Sequence, residues 1–421
     1  MHRPMEHNAT LIRLAHGVPG ALYRPRVEGK GQVAVLAMHS DSDYLSFSAG
    51  DELSARGYHV LCANVGDKNA SLDKKLVDVS HAIRFLRSHS GVGSIILLGH
   101  SGGGTLLSAY QNLAENGAGA FRGPEKIVKC SATLDDLPPA DGLMLLDSNW
   151  GNGAMRLFSL DPAIVSEESG APIDASLDLF NPANGFSPDG SKYPDDFIRA
   201  FQHEQGKRNN RLIDEALGRW QLIERGSGRY ADDEPFIVPG AAQGFRNNKL
   251  YPQDTRLMSR TREARDLLRP DGSLAREVIR CIRPPQNSKP FTNSYHDGAL
   301  ATTVRTFLDS YAVRTTDDYG YDESSVYGVD WSSSYNTTVG NVAGIAVPVL
   351  VMGMTGGWEF AAAETIFERA TSADKTLAFV EGASHQFKTM TALEDHPGQF
   401  GDTMKTTYDF VDQWIQGRGA E

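Results

Sequence analysis

Short apolar runs alternate with amphipathic stretches through the first 150 residues of the chain. From Leu72 to Ser88 the apolar residues recur at helical spacing, and a shorter helix is predicted over 47–56. The apolar runs of strand length are 21–23, 33–38, 59–63, 94–98 and 142–147. Strands that are apolar on both faces and separated by helices are typical of a parallel sheet covered by helices on each side.

The pattern lapses between residues 151 and 343. This part has proline- and glycine-rich loops, two charged helical stretches (195–205 and 210–224) and little strand signal. The alternation then resumes with a strand, a helix, a strand and a closing helix, predicted at 347–352, 359–370, 375–380 and 403–414. We therefore expect one α/β core formed by residues 1–150 and 344–421, interrupted by a largely helical insertion over 151–343.

Composition narrows the class of protein. The 421 residues exceed one ordinary domain, and the net charge of −12 disfavours nucleic acid and anionic membranes as partners. The chain has no run of eighteen apolar residues, and residues 1–7 lack the features of a signal peptide. Its three cysteines are far apart and have no zinc-ligand spacing, which suits a reducing compartment. These observations predict a cytoplasmic protein with no membrane span and no metal.

The most informative motif lies where the run at 94–98 ends. Gly99-His100-Ser101-Gly102-Gly103 fits the pattern G-x-S-x-G, and a helical stretch follows it. Between a strand and a helix, this pattern is a nucleophile elbow, a tight turn that exposes a reactive serine hydroxyl. A phosphate-binding loop fits less well. No Lys-Ser/Thr pair follows the glycines, and Leu107 stands where the last glycine of G-x-G-x-x-G belongs.

With this elbow, the dipeptide His39-Ser40 after the predicted strand at 33–38 and the run 381–385 after the last predicted strand, the chain resembles the α/β-hydrolase superfamily. The resemblance implies an α/β-hydrolase fold, Ser101 as nucleophile and His385 as general base. It also implies an oxyanion hole formed by the Gly102 amide and a second amide from Ser40 or Asp41. The usual dipeptide of the family is His-Gly, so this second donor stays open between the two residues.

The triad acid is not evident from the motif. In many relatives a carboxylate follows the seventh strand, but Gly357 stands at the expected position. Two alternatives remain. Asp147 ends the predicted strand at 142–147, the sixth strand in the numbering of the superfamily. Glu359 begins a predicted helix two residues after Gly357. We favour Asp147 over Glu359, with a third possibility that neither serves, because the origin of the acid varies between families.

In this superfamily an insertion between the sixth and seventh strands forms a cap that shapes the substrate pocket. The last part of the insertion is rich in aromatic residues: Tyr311, Tyr319, Tyr321, Tyr327, Trp331 and Tyr335. They would either line an acyl pocket for an aromatic substrate or build the core of the cap.

The function predicted from the sequence is a serine hydrolase acting on an ester or related acyl compound, with a small-molecule substrate and no cofactor. The alternatives are a carbon–carbon bond hydrolase, a lactonase or an amidase with the same triad, and a non-catalytic binding protein. The elbow does not separate these alternatives.

Overall fold

The computed structural model describes residues 9–89, 91–169, 172–242, 250–285 and 298–418. Residues 1–7, for which no signal peptide is expected, lie outside these ranges. Within the described ranges, no helix combines the length and the apolar character needed to cross a bilayer.

A ten-stranded sheet runs through the described part of the chain, in the order β1-β2-β4-β3-β5-β6-β13-β14-β8-β9. The strands are β1 (Ala9–Arg13), β2 (Pro19–Tyr23), β3 (Val33–Met38), β4 (His59–Ala63), β5 (Ser94–Ser101), β6 (Gly142–Ser148), β7 (Pro235–Val238), β8 (Arg260–Leu268), β9 (Leu274–Arg280), β10 (Leu300–Thr303), β11 (Arg314–Tyr321), β12 (Val326–Asp330), β13 (Val349–Gly356) and β14 (Lys375–Ser384). The six pairings from β4 to β8 are parallel, and those at both ends of the sheet are antiparallel. The predicted α/β-hydrolase fold is confirmed by this mostly parallel sheet with helices on both faces.

The helices of the described residues are α1 (Ser48–Ala55), α2 (Leu72–Ser88), α3 (Gly103–Asn116), α4 (Asn152–Leu157), α5 (Asp195–Glu224), α6 (Leu250–Gln253), α7 (Val304–Ser310), α8 (Thr338–Asn341), α9 (Phe360–Arg369) and α10 (Thr403–Gln416). The predicted bounds of α2 are confirmed at both ends. The two helices expected at 195–205 and 210–224 are a single helix, α5. Gly206 does not break it, and a Cβ there would lie 2.9 Å from the Tyr319 ring.

Strand β3 shows why the sheet is buried on both faces. Ala34, Leu36 and Met38 belong to one core cluster, which includes α2 and α3, while Val33, Val35 and Ala37 belong to another, which includes α1 and α10. Each fully buried side chain of this kind contributes about 1.5–3 kcal/mol to the free energy of folding. The two clusters together hold the carboxyl ends of the parallel strands at one edge of the sheet.

The expectation of a largely helical insertion over 151–343 is corrected for residues 260–280. Strands β8 and β9 form a hairpin, and β8 pairs with β14, so these residues extend the main sheet. Charged residues dominate this hairpin because it lies at the sheet edge, where Arg265 pairs with Glu364 and Glu368 of α9. An edge strand with charged side chains lacks the continuous apolar run by which we recognised the central strands.

Candidate active site

Ser101 is the last residue of β5, and α3 begins two residues later. Its φ of 54° lies in the left-handed region, which is strained for a residue with a side chain. The flanking glycines make room for the turn. A Cβ on Gly103 would lie 2.4 Å from the Met38 carbonyl oxygen, and one on Gly99 would lie 2.8 Å from the Gly103 carbonyl oxygen. The local geometry is therefore that of a nucleophile elbow.

Asp147 lies at the carboxyl end of β6, the strand next to β5, and is fully buried. Its Oδ2 atom is 2.7 Å from Nδ1 of His385, and its Oδ1 atom accepts a hydrogen bond of 2.9 Å from the Met354 amide. The backbone of Asp147 is also left-handed, with a φ of 44°. Strained backbone of this kind concentrates at functional sites, where the surrounding structure holds it in place.

The position of Asp147 explains the glycine at 357. A Cβ on Gly357 would lie 2.3 Å from Asp147 Oδ2, so any side chain there would collide with the carboxylate. The space that a carboxylate after β13 would need is thus filled by the Asp147 carboxylate at the end of β6, the neighbouring strand.

Glu359, immediately before α9, also approaches the imidazole. Its Oε2 atom is 3.2 Å from His385 Nδ1, and the residue is 7% exposed. This contact is close enough for an ion pair, but Oε2 has no hydrogen-bond partner in the described part of the chain. Asp147 therefore takes the hydrogen bond from His385, and Glu359 adds a second negative charge beside the same ring nitrogen.

These charges determine how readily His385 holds a proton. Burial by itself lowers the pKa of His385. The charge of Glu359, followed by the hydrogen bond and charge of Asp147, outweighs burial and raises the pKa to about 9. Burial raises the pKa of Asp147, while the hydrogen bond with His385 opposes that increase. Because a carboxylate only accepts hydrogen bonds, the proton of neutral His385 lies on Nδ1 and leaves Nε2 free as a base.

His100, inside the elbow, is fully buried and uses both ring nitrogens. Nε2 lies 2.7 Å from the His385 carbonyl oxygen and must donate to it, so Nδ1 accepts from the Tyr44 hydroxyl. Burial lowers the pKa of His100 well below its ordinary value, and the charge of His385 lowers it further. The sequence did not point to Tyr44, because an isolated tyrosine in a loop carries no motif.

The rings of His100 and His385 lie against each other with centroids 4.4 Å apart, which places His385 beside the elbow. The backbone just beyond Asp147 is hydrogen-bonded to the elbow as well, since the Asn149 amide donates to the Ser101 carbonyl oxygen at 3.3 Å. Over the ranges described, no hydrogen bond joins the Ser101 hydroxyl to His385. In enzymes without bound substrate, hydrogen bonds between catalytic groups are often long or poorly aligned.

The loop after β3 meets the elbow through the side chain of His39. Its Nε2 atom accepts a hydrogen bond of 3.1 Å from the Gly102 amide, and its Nδ1 atom lies 2.9 Å from an Asp41 carboxylate oxygen. The Asp41 amide is also directed at this ring, at 3.1 Å from Nδ1. Ser40 is buried. Its hydroxyl has no hydrogen-bond partner within the described ranges and lies 2.8 Å from where a Cβ on Gly102 would be. Ser40 is therefore better placed than Asp41 to supply a free donor at the elbow.

The six aromatic residues of the insertion do not form one pocket wall. Tyr319, Tyr321 and Tyr335 are buried in the larger core cluster, and Trp331 packs against it. Tyr327 is exposed. Tyr311 has a cation over its ring, the guanidinium of Arg156 at 4.9 Å. For most of these rings the structure supports a role in the core.

Asp147, Glu359 and His385 also form the one group of possible metal-binding side chains found in the described residues, with ligand atoms within 4.8 Å of one another. The short Asp147–His385 contact has the length of a hydrogen bond to an imidazole N–H, so a proton at Nδ1 accounts for this arrangement.

The sequence matches no protein-family model and no curated protein. Similar solved structures include Est1E from Butyrivibrio proteoclasticus, with 10% identity, a TM-score of 0.42 and coverage of 98% of this chain and 100% of that chain. The siderophore hydrolase EstB from Aspergillus fumigatus is 11% identical, with a TM-score of 0.43 and 99% coverage of both chains. The α/β hydrolase GrgF from Penicillium sp. sh18 is 10% identical, with a TM-score of 0.40 and coverage of 97% and 96%.

Proposed function

We propose that this chain is a serine hydrolase that cleaves a carboxyl ester or a related acyl compound through a covalent acyl-enzyme. Ser101 is the nucleophile, His385 the general base and Asp147 the acid of the triad. The observation that carries the proposal is the 2.7 Å contact between His385 Nδ1 and the buried Asp147, beside a strained serine at the end of the next strand. This combination provides the base that a serine hydroxyl needs before it can attack a carbonyl.

In the proposed reaction, His385 Nε2 accepts the hydroxyl proton while Ser101 Oγ forms a bond to the carbonyl carbon. Collapse of the tetrahedral intermediate breaks the bond to the leaving group, which takes the proton from His385. Water then attacks the acyl-enzyme by the same route and releases the acid and the free serine. Asp147 and Glu359 stabilise the imidazolium that exists during each step.

Gly102 and Ser40 are the proposed donors to the oxyanion. The Gly102 amide now donates to His39 Nε2, so it must turn from that ring, or share its hydrogen, to reach a developing negative charge. The Ser40 hydroxyl has no hydrogen-bond partner among the described residues, so it can donate to the oxyanion without breaking another hydrogen bond. A donor positioned in advance is worth more than one that must reorganise during the reaction.

The remainder of the insertion over 151–343, apart from the hairpin β8–β9, is proposed as the cap over the site. It has its own core cluster, in which α5 and α7 pack against the small sheet of β7 and β10. A small-molecule acyl substrate would bind between this cap and the elbow.

Covalent labelling tests the proposal directly. A fluorophosphonate probe is expected to modify wild-type protein at Ser101 and to leave Ser101→Ala unlabelled, because the probe requires an activated serine. Peptide mass spectrometry identifies the modified residue, and Ser108→Ala, a buried serine of α3, is the matched control that keeps labelling. Labelling that persists in Ser101→Ala would place the nucleophile elsewhere.

The same triad could cleave a carbon–carbon bond, a lactone or an amide, and a chain without catalysis could keep the pocket. A panel of p-nitrophenyl esters, lactones and anilides separates these functions. Labelling at Ser101 with turnover of none of them would favour the carbon–carbon reaction, and the absence of both labelling and turnover would favour a binding protein.

A second prediction concerns pH. His385 acts as a base only when neutral, so kcat/KM is expected to rise with pH through the pKa of about 9 and level off above it. Glu359→Gln removes the largest contribution that raises this pKa. The rising limb should then move to lower pH by about one unit or more. Initial rates between pH 6 and 10.5 measure the shift, and a limb at the same pH in both proteins would contradict the role given to Glu359.

A further inference from the structure

Arg156, in α4, is a buried cation with few partners. Its side chain is 8% exposed, and Nη1 donates to the Ala241 carbonyl oxygen. Among the described residues Nε, which is buried, has no hydrogen-bond partner, and the guanidinium lies 4.9 Å from the centre of the Tyr311 ring. No carboxylate of the described residues lies within ion-pair distance of it. Such a group is costly to bury unless a negative charge compensates it.

The other buried arginines of the described ranges are better satisfied. Arg208 pairs with Glu167 at 2.6 Å and also donates to two backbone carbonyls. Arg265 pairs with acids of α9. Arg283 has no acid and its Nε also lacks a partner among the described residues, but its two terminal nitrogens donate to the carbonyls of three residues and to a cysteine sulfur. Arg156 has one backbone acceptor and is therefore the least satisfied of these four buried arginines.

Helix α4 begins beside the elbow. The Asn152 amide donates to Thr105 Oγ1 on α3 at 3.0 Å, and Arg156 follows four residues later, about 6 Å along the helix axis. Burial lowers the pKa of Arg156, while the charges of Tyr311 and Asp41 oppose this effect. Asp41, whose charge acts on Arg156, lies in the loop whose His39 side chain contacts the Gly102 amide, and α4 itself starts beside α3.

Asp41 does not neutralise Arg156. Its carboxylate lies 2.9 Å from His39 Nδ1, and its side chain is 47% exposed. The hydrogen bond from His39 and the charges of His39 and Lys75 lower the pKa of Asp41, although burial opposes them. This one carboxylate is thus already in contact with the His39 ring, and a second anion would still find a favourable field at Arg156.

We propose that Arg156, stacked on Tyr311, binds a carboxylate or phosphate group carried by the substrate of the Ser101 site. The guanidinium offers planar, paired N–H donors that match either group, and the Tyr311 ring packs against it. The preferred substrates are therefore acyl compounds with a negative charge remote from the scissile bond. This inference rests on the proposed function, since it assigns the substrate class of the same site.

Matched esters test it. Wild-type protein is expected to favour p-nitrophenyl monoesters of succinate, glutarate or adipate over the neutral butyrate, valerate or hexanoate, and the series finds the best length. The ratio of kcat/KM between the best anionic ester and its neutral counterpart should fall about 10²-fold in Arg156→Gln, because a buried charge pair loses one partner. Arg156→Lys should lose less, and Arg211→Gln, on the exposed face of α5, should keep the wild-type ratio.

A binding measurement tests the anion site without relying on turnover. A second comparison covers the case in which Arg156→Gln does not fold. Glutarate or inorganic phosphate is expected to raise the melting temperature of Ser101→Ala and not of Ser101→Ala/Arg156→Gln. If only one of the two anions raises the melting temperature, this result identifies the bound group as a carboxylate or as a phosphate. If Arg156→Gln does not fold, competitive inhibition of wild-type ester hydrolysis by glutarate, and not by neutral glutaramide, replaces this comparison.

The outcomes separate the two proposals. Turnover and Ser101 labelling without any preference for anionic esters, or with the same preference in Arg156→Gln, would overturn the role of Arg156 and leave the hydrolase intact. No turnover and no labelling would overturn the hydrolase. In that case anion binding that depends on Arg156 would still support the anion site, and its absence would end that inference too.

Discussion

Replacing His385 with alanine is expected to lower kcat by about 10⁴-fold or more, because the members of a catalytic triad fail as a unit. The imidazole is the group that accepts the serine proton, and Nε2 of His385 is the nitrogen left free by the contact with Asp147. His100 offers no substitute, since both of its nitrogens are engaged. The measurement is kcat on the best p-nitrophenyl ester at the pH of the wild-type plateau.

Two variants make this result specific. His396→Ala removes an exposed histidine from the loop beyond His385 and is expected to keep kcat. His100→Ala removes the hydrogen bond that holds the His385 backbone, so a partial loss is expected. The assignment would fail if His385→Ala retained most activity while His100→Ala lost it.

Replacing Asp147 with asparagine is expected to lower kcat by about 10³- to 10⁴-fold, although the side chain keeps nearly the same shape. Oδ1 of Asp147 accepts the Met354 amide, so an asparagine that keeps this bond turns its NH₂ group toward His385 Nδ1. Two donors cannot share that hydrogen bond. The imidazole must then carry its proton on Nε2, where it cannot act as a base.

Glu359→Gln is the control for this prediction. Because Oε2 of Glu359 makes no hydrogen bond, its loss leaves the tautomer of His385 unchanged, and kcat at the plateau should fall less than about tenfold. The melting temperature of both variants separates loss of activity from loss of fold. The reverse ranking, with Glu359→Gln inactive and Asp147→Asn nearly normal, would assign the role of the acid to Glu359, which follows β13.

The sequence predicted the central fold because burial on both faces leaves a direct record in the chain. Val33–Met38 is apolar at every position, and α2 repeats its apolar residues at helical spacing, so both were found. The hairpin β8–β9 was missed because an edge strand need not be apolar. Its arginines and acids, such as Arg265 and Glu277, make ion pairs at the rim of the sheet.

The site was predictable only as far as motifs extend. Ser101, Gly102 and His385 stand in sequence patterns, and Gly357 indicated where the acid was missing. The choice between Asp147 and Glu359 is different, since both approach the same nitrogen and only the geometry separates a hydrogen bond from a charge contact. The isolation of Arg156 also depends on which residues surround it, which no local pattern records.

The hairpin β8–β9 limits how far the cap can be treated as a module. The chain leaves the sheet after β6, returns to it as β8 and departs again before β13. Just after β9, the Ile282 amide donates a hydrogen bond to the Thr355 carbonyl oxygen, two residues before Gly357. A cap exchange between homologous folds would therefore have to retain residues 260–282 and replace the segments on either side. Excision of the whole insertion would expose β14 as a new sheet edge next to the loop that bears the histidine.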